Sequence, residues 1–215
     1  LSAPAPSAAP TEDEVLEALA LSPGAVEIAA QNGPTQTVIS GDAASVLSLA
    51  TRFTEQGRRV QRLKVSHAFH SAHMDAALAP VLSVAEQLEL RAPQIPIISN
   101  LSGRVVTEVE IRSPRYWVDQ LRGTVRFLDG MRSLESAGAR IFLECGPGGV
   151  LSAMGASCVS ESAQFIVSLR QGQERASQLE AASALYARDH ALDWGQLLEP
   201  PAQRGGAALP TYAFQ

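Results

Sequence analysis

The amino-acid sequence predicts a mixed α/β protein, and three patterns support this fold class. Stretches with apolar side chains at helical spacing alternate with short apolar runs that are typical of strands. The apolar run 141–143 is followed by Gly146-Pro147-Gly148-Gly149, which favours a buried parallel strand that opens through a glycine turn into a helix. The segment Gln31-Asn32-Gly33-Pro34 lies between two further apolar runs and favours a hairpin.

The first elements follow a tail of small residues. Residues 1–10 are almost all Ala, Pro and Ser, a composition that does not pack into a core, so we expect a flexible tail. Thr11 and Glu14 have capping-box spacing and predict a helix over 11–20. Strands 25–30 and 37–39 are then expected to form the hairpin.

A second helix and a third strand are predicted next, at 43–56 and 59–65. The apolar residues expected to face inward from this helix, which ends at Gly57, are Val46, Leu47, Leu49, Ala50 and Phe53. One more strand in front would complete a split βαβ unit of ferredoxin-like type. We therefore expect residues 11–65 to form an incomplete ferredoxin-like subdomain whose first strand lies upstream of this sequence.

The second half of the sequence alternates helices and short strands. A long helix is predicted over 71–90, and Ser113 followed by Pro114 marks the start of another. The remaining elements are strands 95–99, 104–106 and 165–168 and helices 114–121, 126–137 and 174–188. We expect a second domain over 66–198, followed by a Pro-, Ala- and Gly-rich tail over 199–215.

Composition excludes several classes of function. The 17 basic and 22 acidic residues give a net charge of −5, which argues against a broad nucleic-acid surface. No apolar run approaches the ~18 residues of a membrane span. The two cysteines and the absence of a signal-peptide pattern predict a cytoplasmic protein. Five cations lie close together in the sequence, and a solvated face is the favoured interpretation over a docking site for an anionic partner: Arg52, Arg58, Arg59, Arg62 and Lys64.

Candidate catalytic residues are concentrated where strand 59–65 is predicted to give way to a helix. His67, His70 and His73 lie here, and an imidazole with a pKa near 6.5 can accept and return a proton at neutral pH. Their spacing alone is equally compatible with surface residues. A metal site is a weaker interpretation, because Cys or carboxylate partners at ligand spacing are missing.

The segment Ser66-His67-Ala68-Phe69-His70-Ser71-Ala72-His73-Met74 resembles the histidine motif of malonyl-selective polyketide synthase acyltransferases. Three further blocks resemble the same family in the same order, namely Asn32-Gly33-Pro34, Tyr116-Trp117-Val118-Asp119-Gln120-Leu121 and Leu143-Glu144-Cys145-Gly146-Pro147-Gly148-Gly149. The last residues, 209–215, resemble the linker that follows such domains. The resemblance implies that residues 66–198 are the carboxy-terminal part of an α/β-hydrolase-like acyltransferase core.

The resemblance assigns roles to single residues. It makes His70 the base that activates a nucleophilic serine, and Gln120 the residue whose backbone carbonyl orients that imidazole. Asn32 matches a turn that lines the cleft between subdomains and is therefore a candidate substrate-binding residue, although a structural role of its Asn-Gly step is the favoured interpretation. His67 and Phe69 match positions where methylmalonyl-accepting relatives usually carry tyrosine and serine, so the resemblance implies a preference for malonyl.

The implied reaction passes malonyl from malonyl-CoA, a substrate, to the phosphopantetheine thiol of an acyl carrier protein, with no bound cofactor. No Gly-x-Ser-x-Gly motif occurs in the 215 residues, so we expect the nucleophile on a complementary amino-terminal fragment. The ketosynthase and its linker are further expected partners. Two alternatives stay open: a non-catalytic scaffold that docks a carrier protein, and a hydrolase that releases malonate.

Overall fold

The structure is a computed structural model that describes residues 9–21 and 25–198. The chain divides into two compact units, of which the first runs to Phe142 and also includes Val150–Phe165. The second unit consists of Leu143–Gly149 and the residues from Ile166 onward. Both tails of the predicted organisation lie wholly or mostly outside the described residues, and the subdomain boundary at residue 65 stays a prediction.

The first unit begins with two helices on either side of a hairpin. Helix α1, Glu12–Ala20, starts at the Thr11–Glu14 capping box and confirms that prediction. Strands β1, Val26–Gly33, and β2, Gln36–Gly41, pair antiparallel. Helix α2, Ala43–Glu55, is capped by the Asp42 carboxylate, which accepts a hydrogen bond from the Ser45 N–H. The helix ends before Gly57, whose φ of +75° is the left-handed conformation that favours glycine.

The core of this region consists of apolar residues from α1, β1 and α2. Five of them are almost fully buried and form one cluster: Val15, Ala18, Ile28, Leu49 and Phe53. Leu47 was expected to face inward but is 49% exposed, so that prediction was wrong. Two residues correspond to about 200° of helical rotation, which separates Leu47 from the buried Leu49.

The hairpin turn lies farther along the chain than the sequence predicted. The register pairs Gly33 with Gln36, so Pro34 and Thr35 form the turn and the Asn32-Gly33 step belongs to β1. Pro34 is suited to this position because its ring presets φ. Gly33 is buried, and a β-carbon there would lie 3.1 Å from the Ser157 hydroxyl. A close approach therefore explains this glycine.

The strand predicted at 59–65 was wrong. These residues are exposed and have no regular secondary structure, and no strand within the described ranges pairs with them. A strand is stabilised by its ladder and by burial of one face, and this segment has neither. The strands predicted at 95–99 and 104–106 are likewise reduced to one antiparallel bridge, Ile98 to Val105.

The helix predicted over 71–90 is much shorter in the structure. A 3₁₀ turn, Ala72–Met74, precedes helix α3, Asp75–Ala85. The start is displaced because His70 has a left-handed φ of +58° and Ser71 is extended. At the other end, Leu88 is 58% exposed and contributes little packing to prolong the helix.

The later helices agree better with the sequence. Helices α4, Glu108–Ile111, α5, Pro114–Arg122, α6, Phe127–Ser136, and α7, Val150–Gly155, belong to the first unit. The second strand pair is β3, Ile141–Pro147, with β4, Gln164–Leu169, and helices α8, Glu174–Tyr186, and α9, Trp194–Leu197, follow. The predicted elements at 114–121, 126–137, 141–143, 165–168 and 174–188 are thereby confirmed within a few residues. The burial predicted for the strand at 141–143 was wrong, because no residue of β3 is buried and Leu143 is 41% exposed.

A second apolar cluster stabilises the later part of the first unit. Leu128, Met131 and Cys158 are buried together there. The rings of Phe142 and Phe165 stack beside them with centroids 4.9 Å apart. This cluster holds α6 against the residues that follow α7.

The contrast between Leu49 and Leu47 predicts unequal effects of the same substitution on one helix. Leu49→Ala removes a side chain that is 3% exposed, so we expect the free energy of unfolding to fall by about 2 to 5 kcal/mol. Leu47→Ala serves as the matched control and should change it by less than about 1 kcal/mol. Urea unfolding followed by circular dichroism measures both, and equal losses would contradict the observed orientation of α2.

Candidate active site

His70 has an unusual backbone and an unusual side-chain environment. Its φ of +58° is left-handed, a conformation that non-glycine residues rarely adopt. Its ring nitrogen Nδ1 is buried and has no hydrogen-bond partner among the described residues. Both features cost free energy, and such features are concentrated at functional sites. The sequence-predicted base is thus held in a conformation that local propensity disfavours.

Ser71 fixes the turn that contains His70. This serine is 1% exposed, and its hydroxyl donates a hydrogen bond of 2.6 Å to the Ala68 carbonyl. The same oxygen accepts the His73 N–H at 3.4 Å and so caps the 3₁₀ turn. Buried polar atoms are therefore satisfied on the residue next to His70, while His70 itself retains an unpaired nitrogen.

His67 and Phe69 lie together on the exposed side of the same segment. Their ring centroids are 5.8 Å apart, and His67 Nδ1 lies 2.9 Å from the Ser66 hydroxyl. Phe69 is 44% exposed, which leaves much of a large apolar ring in contact with solvent. The two residues that carry the substrate prediction thus contact each other.

Gln120 lies in the last turn of α5, and the main-chain pattern there leaves its carbonyl available. The Gly123 N–H donates to the Asp119 carbonyl at 2.7 Å, which is the end of the helical ladder. Carbonyls beyond that point have no intrahelical donor. Helix α5 packs against α3 and against the 3₁₀ turn that follows His70. The structure shows no hydrogen bond between Gln120 and His70.

Two hydrogen bonds and a buried valine anchor α5. Tyr116 donates its hydroxyl to Ser99 Oγ at 2.9 Å, and Trp117 Nε1 donates to the Ile111 carbonyl at 3.0 Å. Val118 is 1% exposed. The helix that carries Gln120 is therefore held firmly in place.

Asn32 is placed with a different group of residues. Its carbonyl accepts a hydrogen bond from Cys158 Sγ at 3.3 Å, and the neighbouring Gly33 packs against Ser157. This Asn-Gly step therefore contacts the residues after α7. These contacts do not involve the His70 turn. The structural role that the sequence favoured for this step accounts for these contacts.

A cluster that sequence reasoning missed lies beside the His70 turn. Arg122 Nε donates to Asp75 Oδ1 at 2.8 Å, and the other two guanidinium nitrogens donate to the Glu27 carboxylate, Nη2 to Oε1 at 2.7 Å and Nη1 to Oε2. Glu27 Oε1 also accepts the Ala72 N–H at 3.2 Å. These residues are far apart in the chain, so no local pattern could have identified them.

The basic patch predicted from sequence is only partly free. Arg58 pairs with Glu14, whereas Arg59, Arg62 and Lys64 are exposed and form no ion pair within the described residues. Arg52 lies in the last turn of α2, where a cation interacts favourably with the negative end of the helix dipole. Three cations therefore remain accessible on the irregular segment that leads to the histidines.

The described residues give no support to other kinds of functional site. In the part of the chain that the structure describes, no group of three His, Cys, Asp or Glu side chains could hold a metal ion. No helix in the same part has the length and apolar character needed to cross a membrane. Cys145 is exposed and Cys158 is buried, and burial raises the pKa of the Cys158 thiol. A raised thiol pKa disfavours the thiolate, so Cys158 is a poor nucleophile.

Comparison with known proteins agrees with the histidine motif. Residues 1–191 match the family model of the acyl transferase domain. The chain is 41% identical over 211 residues to the spectinabilin polyketide synthase system protein NorB of Streptomyces orinoci, covering 95% of this chain and 10% of that protein. Polyketide synthase GfsA of Streptomyces halstedii is 42% identical over 197 residues, covering 89% of this chain and 3% of that protein. The chain thus spans a small part of these relatives.

Solved structures extend the comparison to the fold. The acyltransferase domain from the second module of the salinomycin polyketide synthase is 42% identical with a TM-score of 0.85, covering 96% of this chain and 48% of that one. FabD of Xanthomonas oryzae, a malonyl-CoA:acyl carrier protein transacylase, is 29% identical with a TM-score of 0.74, covering 82% of this chain and 55% of that one. The chain therefore belongs to the acyl transferase domain family, in the class of the acyltransferase domains of modular type I polyketide synthases.

Proposed function

We propose that this chain supplies the general base and the extender-selecting residues of a malonyl transferase. The complete domain would move malonyl from malonyl-CoA to the phosphopantetheine thiol of an acyl carrier protein. The observation that carries the proposal is His70, with its left-handed backbone and its buried, unpaired Nδ1, in a motif of this family. The chain spans 48% of the salinomycin acyltransferase domain, so the nucleophilic serine is assigned to the complementary part of the domain.

The chemistry requires one group that accepts and returns a proton twice. In the first half, His70 takes the serine hydroxyl proton, the serine oxygen bonds to the malonyl carbonyl carbon, and the carbon–sulfur bond to CoA breaks. The departing sulfur receives the proton from His70. In the second half, His70 takes the proton of the pantetheine thiol, the sulfur attacks the ester, and the serine oxygen regains the proton. An imidazole suits both directions at neutral pH.

Gln120 is proposed to orient this imidazole through its backbone. The carbonyls at the end of α5 lack helical donors, and α5 packs against the 3₁₀ turn next to His70. A hydrogen bond from Nδ1–H to the Gln120 carbonyl would satisfy both groups and leave Nε2 free as the proton acceptor. The negative end of the helix dipole would also stabilise the imidazolium.

The proposed substrate preference depends on Phe69 and its contact with His67. A phenyl ring in this position occupies space that an α-methyl group on the malonyl unit would need, and overpacking of this kind costs ~1 to 3 kcal/mol. One methyl group typically supports discrimination of roughly 10- to 200-fold. Asn32 is proposed to act structurally, through the hydrogen bond that its backbone carbonyl accepts from Cys158.

Partner binding follows from the reaction, because the acceptor thiol is carried on an acyl carrier protein. The ketosynthase and its linker are the further partners proposed for the intact synthase. Residues 209–215, assigned by resemblance to the post-acyltransferase linker, lie outside the described residues. The accessible cations Arg59, Arg62 and Lys64 remain compatible with solvation or with docking of an anionic partner.

Two rival functions use the same residues differently. A carrier-docking scaffold is favoured by the lack of a Gly-x-Ser-x-Gly motif in these 215 residues. It would bind the complementary amino-terminal part and carrier protein without loading malonyl. A hydrolase would share the base but transfer malonyl to water. Intact-mass measurement of the carrier and quantification of free malonate separate the three outcomes.

Removal of the His70 imidazole should abolish most of the transfer. In the complete domain, we expect His70→Ala to lower the rate of malonyl loading by at least ~100-fold, the range expected for a general base. His190→Ala is the control, because His190 is exposed and lies outside the histidine motif. Intact mass of the carrier protein gives the rate, and a loss below ~100-fold in His70→Ala would remove His70 from this role.

Substitution of the selecting pair should relax the extender preference. With His67→Tyr and Phe69→Ser together, we expect the ratio of kcat/KM for malonyl-CoA over methylmalonyl-CoA to fall by roughly 10- to 200-fold. Leu63→Ser is the matched control, since Leu63 is also a large exposed apolar residue but lies before the motif. A competition assay with both thioesters measures the ratio, and an unchanged ratio in the double variant would refute the assignment.

A further inference from the structure

We propose that Arg122 is a positioning residue that fixes the His70 turn relative to β1 and to the end of α5. The cluster of Glu27, Asp75 and Arg122, together with the Ala72 N–H, is called the Arg122 clamp below. The inference rests on the proposed function of His70 and extends it to residues outside the histidine motif.

The clamp joins three elements that are distant in sequence. Glu27 lies on β1, Asp75 begins α3, and Arg122 ends α5. The guanidinium contacts both Glu27 oxygens and Asp75, so all of its nitrogens are used in a planar arrangement that lysine cannot reproduce. Ala72 and Asp75, which are two and five residues after His70, are therefore both attached to the same group of charges.

The environment of the clamp favours a well-ordered arrangement. The Arg122 side chain is 30% exposed and that of Glu27 is 37% exposed, so the pair is shielded more than an ordinary surface ion pair. The hydrogen bonds that Arg122 donates to Glu27 raise the pKa of the guanidinium, and partial burial opposes this effect. The guanidinium is permanently charged and lies between two carboxylates, those of Glu27 and Asp75.

The clamp supplies the long-range contacts that the strained backbone at His70 needs and that local hydrogen bonds do not provide. A residue in the left-handed region persists only where its surroundings over-determine it. The bonds of Ser71 define the shape of the turn, but they connect it only to neighbouring residues. Arg122 connects that turn to β1 and lies two residues after Gln120, the proposed acceptor for Nδ1. The clamp therefore sets the separation between His70 and the end of α5.

A second ion pair on α5 provides a matched comparison. Arg115 Nε donates to Asp119 at 2.8 Å, within the same helix, and its side chain is 67% exposed. This pair has the same chemistry but connects no other element. A general effect of losing an arginine from α5 would appear in Arg115→Met as well as in Arg122→Met.

The test compares these two variants in the intact synthase. For Arg122→Met we expect kcat for malonyl transfer to fall about 10- to 100-fold with KM for malonyl-CoA unchanged, because small displacements of a catalytic group cost rates of this order. Arg122→Lys should recover part of this loss, since an ammonium can hold one carboxylate at a time. Deuterium exchange of the peptide that covers residues 68–75 should accelerate in Arg122→Met and stay unchanged in Arg115→Met.

Three results would contradict the proposal that Arg122 positions the His70 turn. Equal kcat in Arg122→Met and Arg115→Met would do so, as would unchanged exchange at 68–75. A fall in kcat that only matches the loss of folded protein, measured by thermal unfolding, would make Arg122 merely structural. If His70→Ala retained full transfer, the proposed function would fail separately, while the exchange measurement would still decide whether Arg122 holds the turn.

Discussion

The contact of Arg122 with Glu27 and Asp75 is the interaction on which the arrangement around the histidine segment depends. Glu27 comes from the hairpin, Asp75 from the helix after the histidines, and Arg122 from the end of α5. Isolated exposed ion pairs contribute little, but a bidentate pair that shares a second carboxylate and a backbone N–H fixes geometry as well as charge. The position of the histidine turn therefore depends on contacts among β1, α3 and α5.

Strand β1 is the structural element that makes this contact possible. It pairs with β2 along one edge, and on its other edge Ala30 bridges Val125 in parallel. The Thr124 hydroxyl adds a hydrogen bond of 2.7 Å to the Ile28 carbonyl, and Arg126 pairs with Glu12 of α1. The chain that leaves α5 is thereby attached to β1 just after Arg122. This attachment brings the guanidinium within reach of Glu27.

Local sequence signals predicted the elements that depend on local interactions. Thr11 with Glu14, and Pro114 at the first helical position, mark helix starts that the structure reproduces, because both signals act within one turn of the helix. The prediction of a strand over 59–65 was wrong because it depended on interactions that are not local. The composition of this segment is strand-like, but a strand needs a neighbour, and none of the described residues provides one. The predicted helix start at residue 71 was wrong because His70 has a left-handed backbone conformation, which no local sequence pattern indicates.

The sequence by itself determined the family, and it indicated a candidate base and a candidate selecting pair, since His67, Phe69 and His70 lie within one contiguous motif. It also determined that the second half is built from helices and short apolar strands, because periodicity is a local property. Only the tertiary structure decided that His70 Nδ1 is buried without a partner, that Asn32 bonds to Cys158, and that Arg122 joins Glu27 to Asp75. The physical reason is distance along the chain: Glu27 and Arg122 are 95 residues apart, and only folding brings such groups into contact.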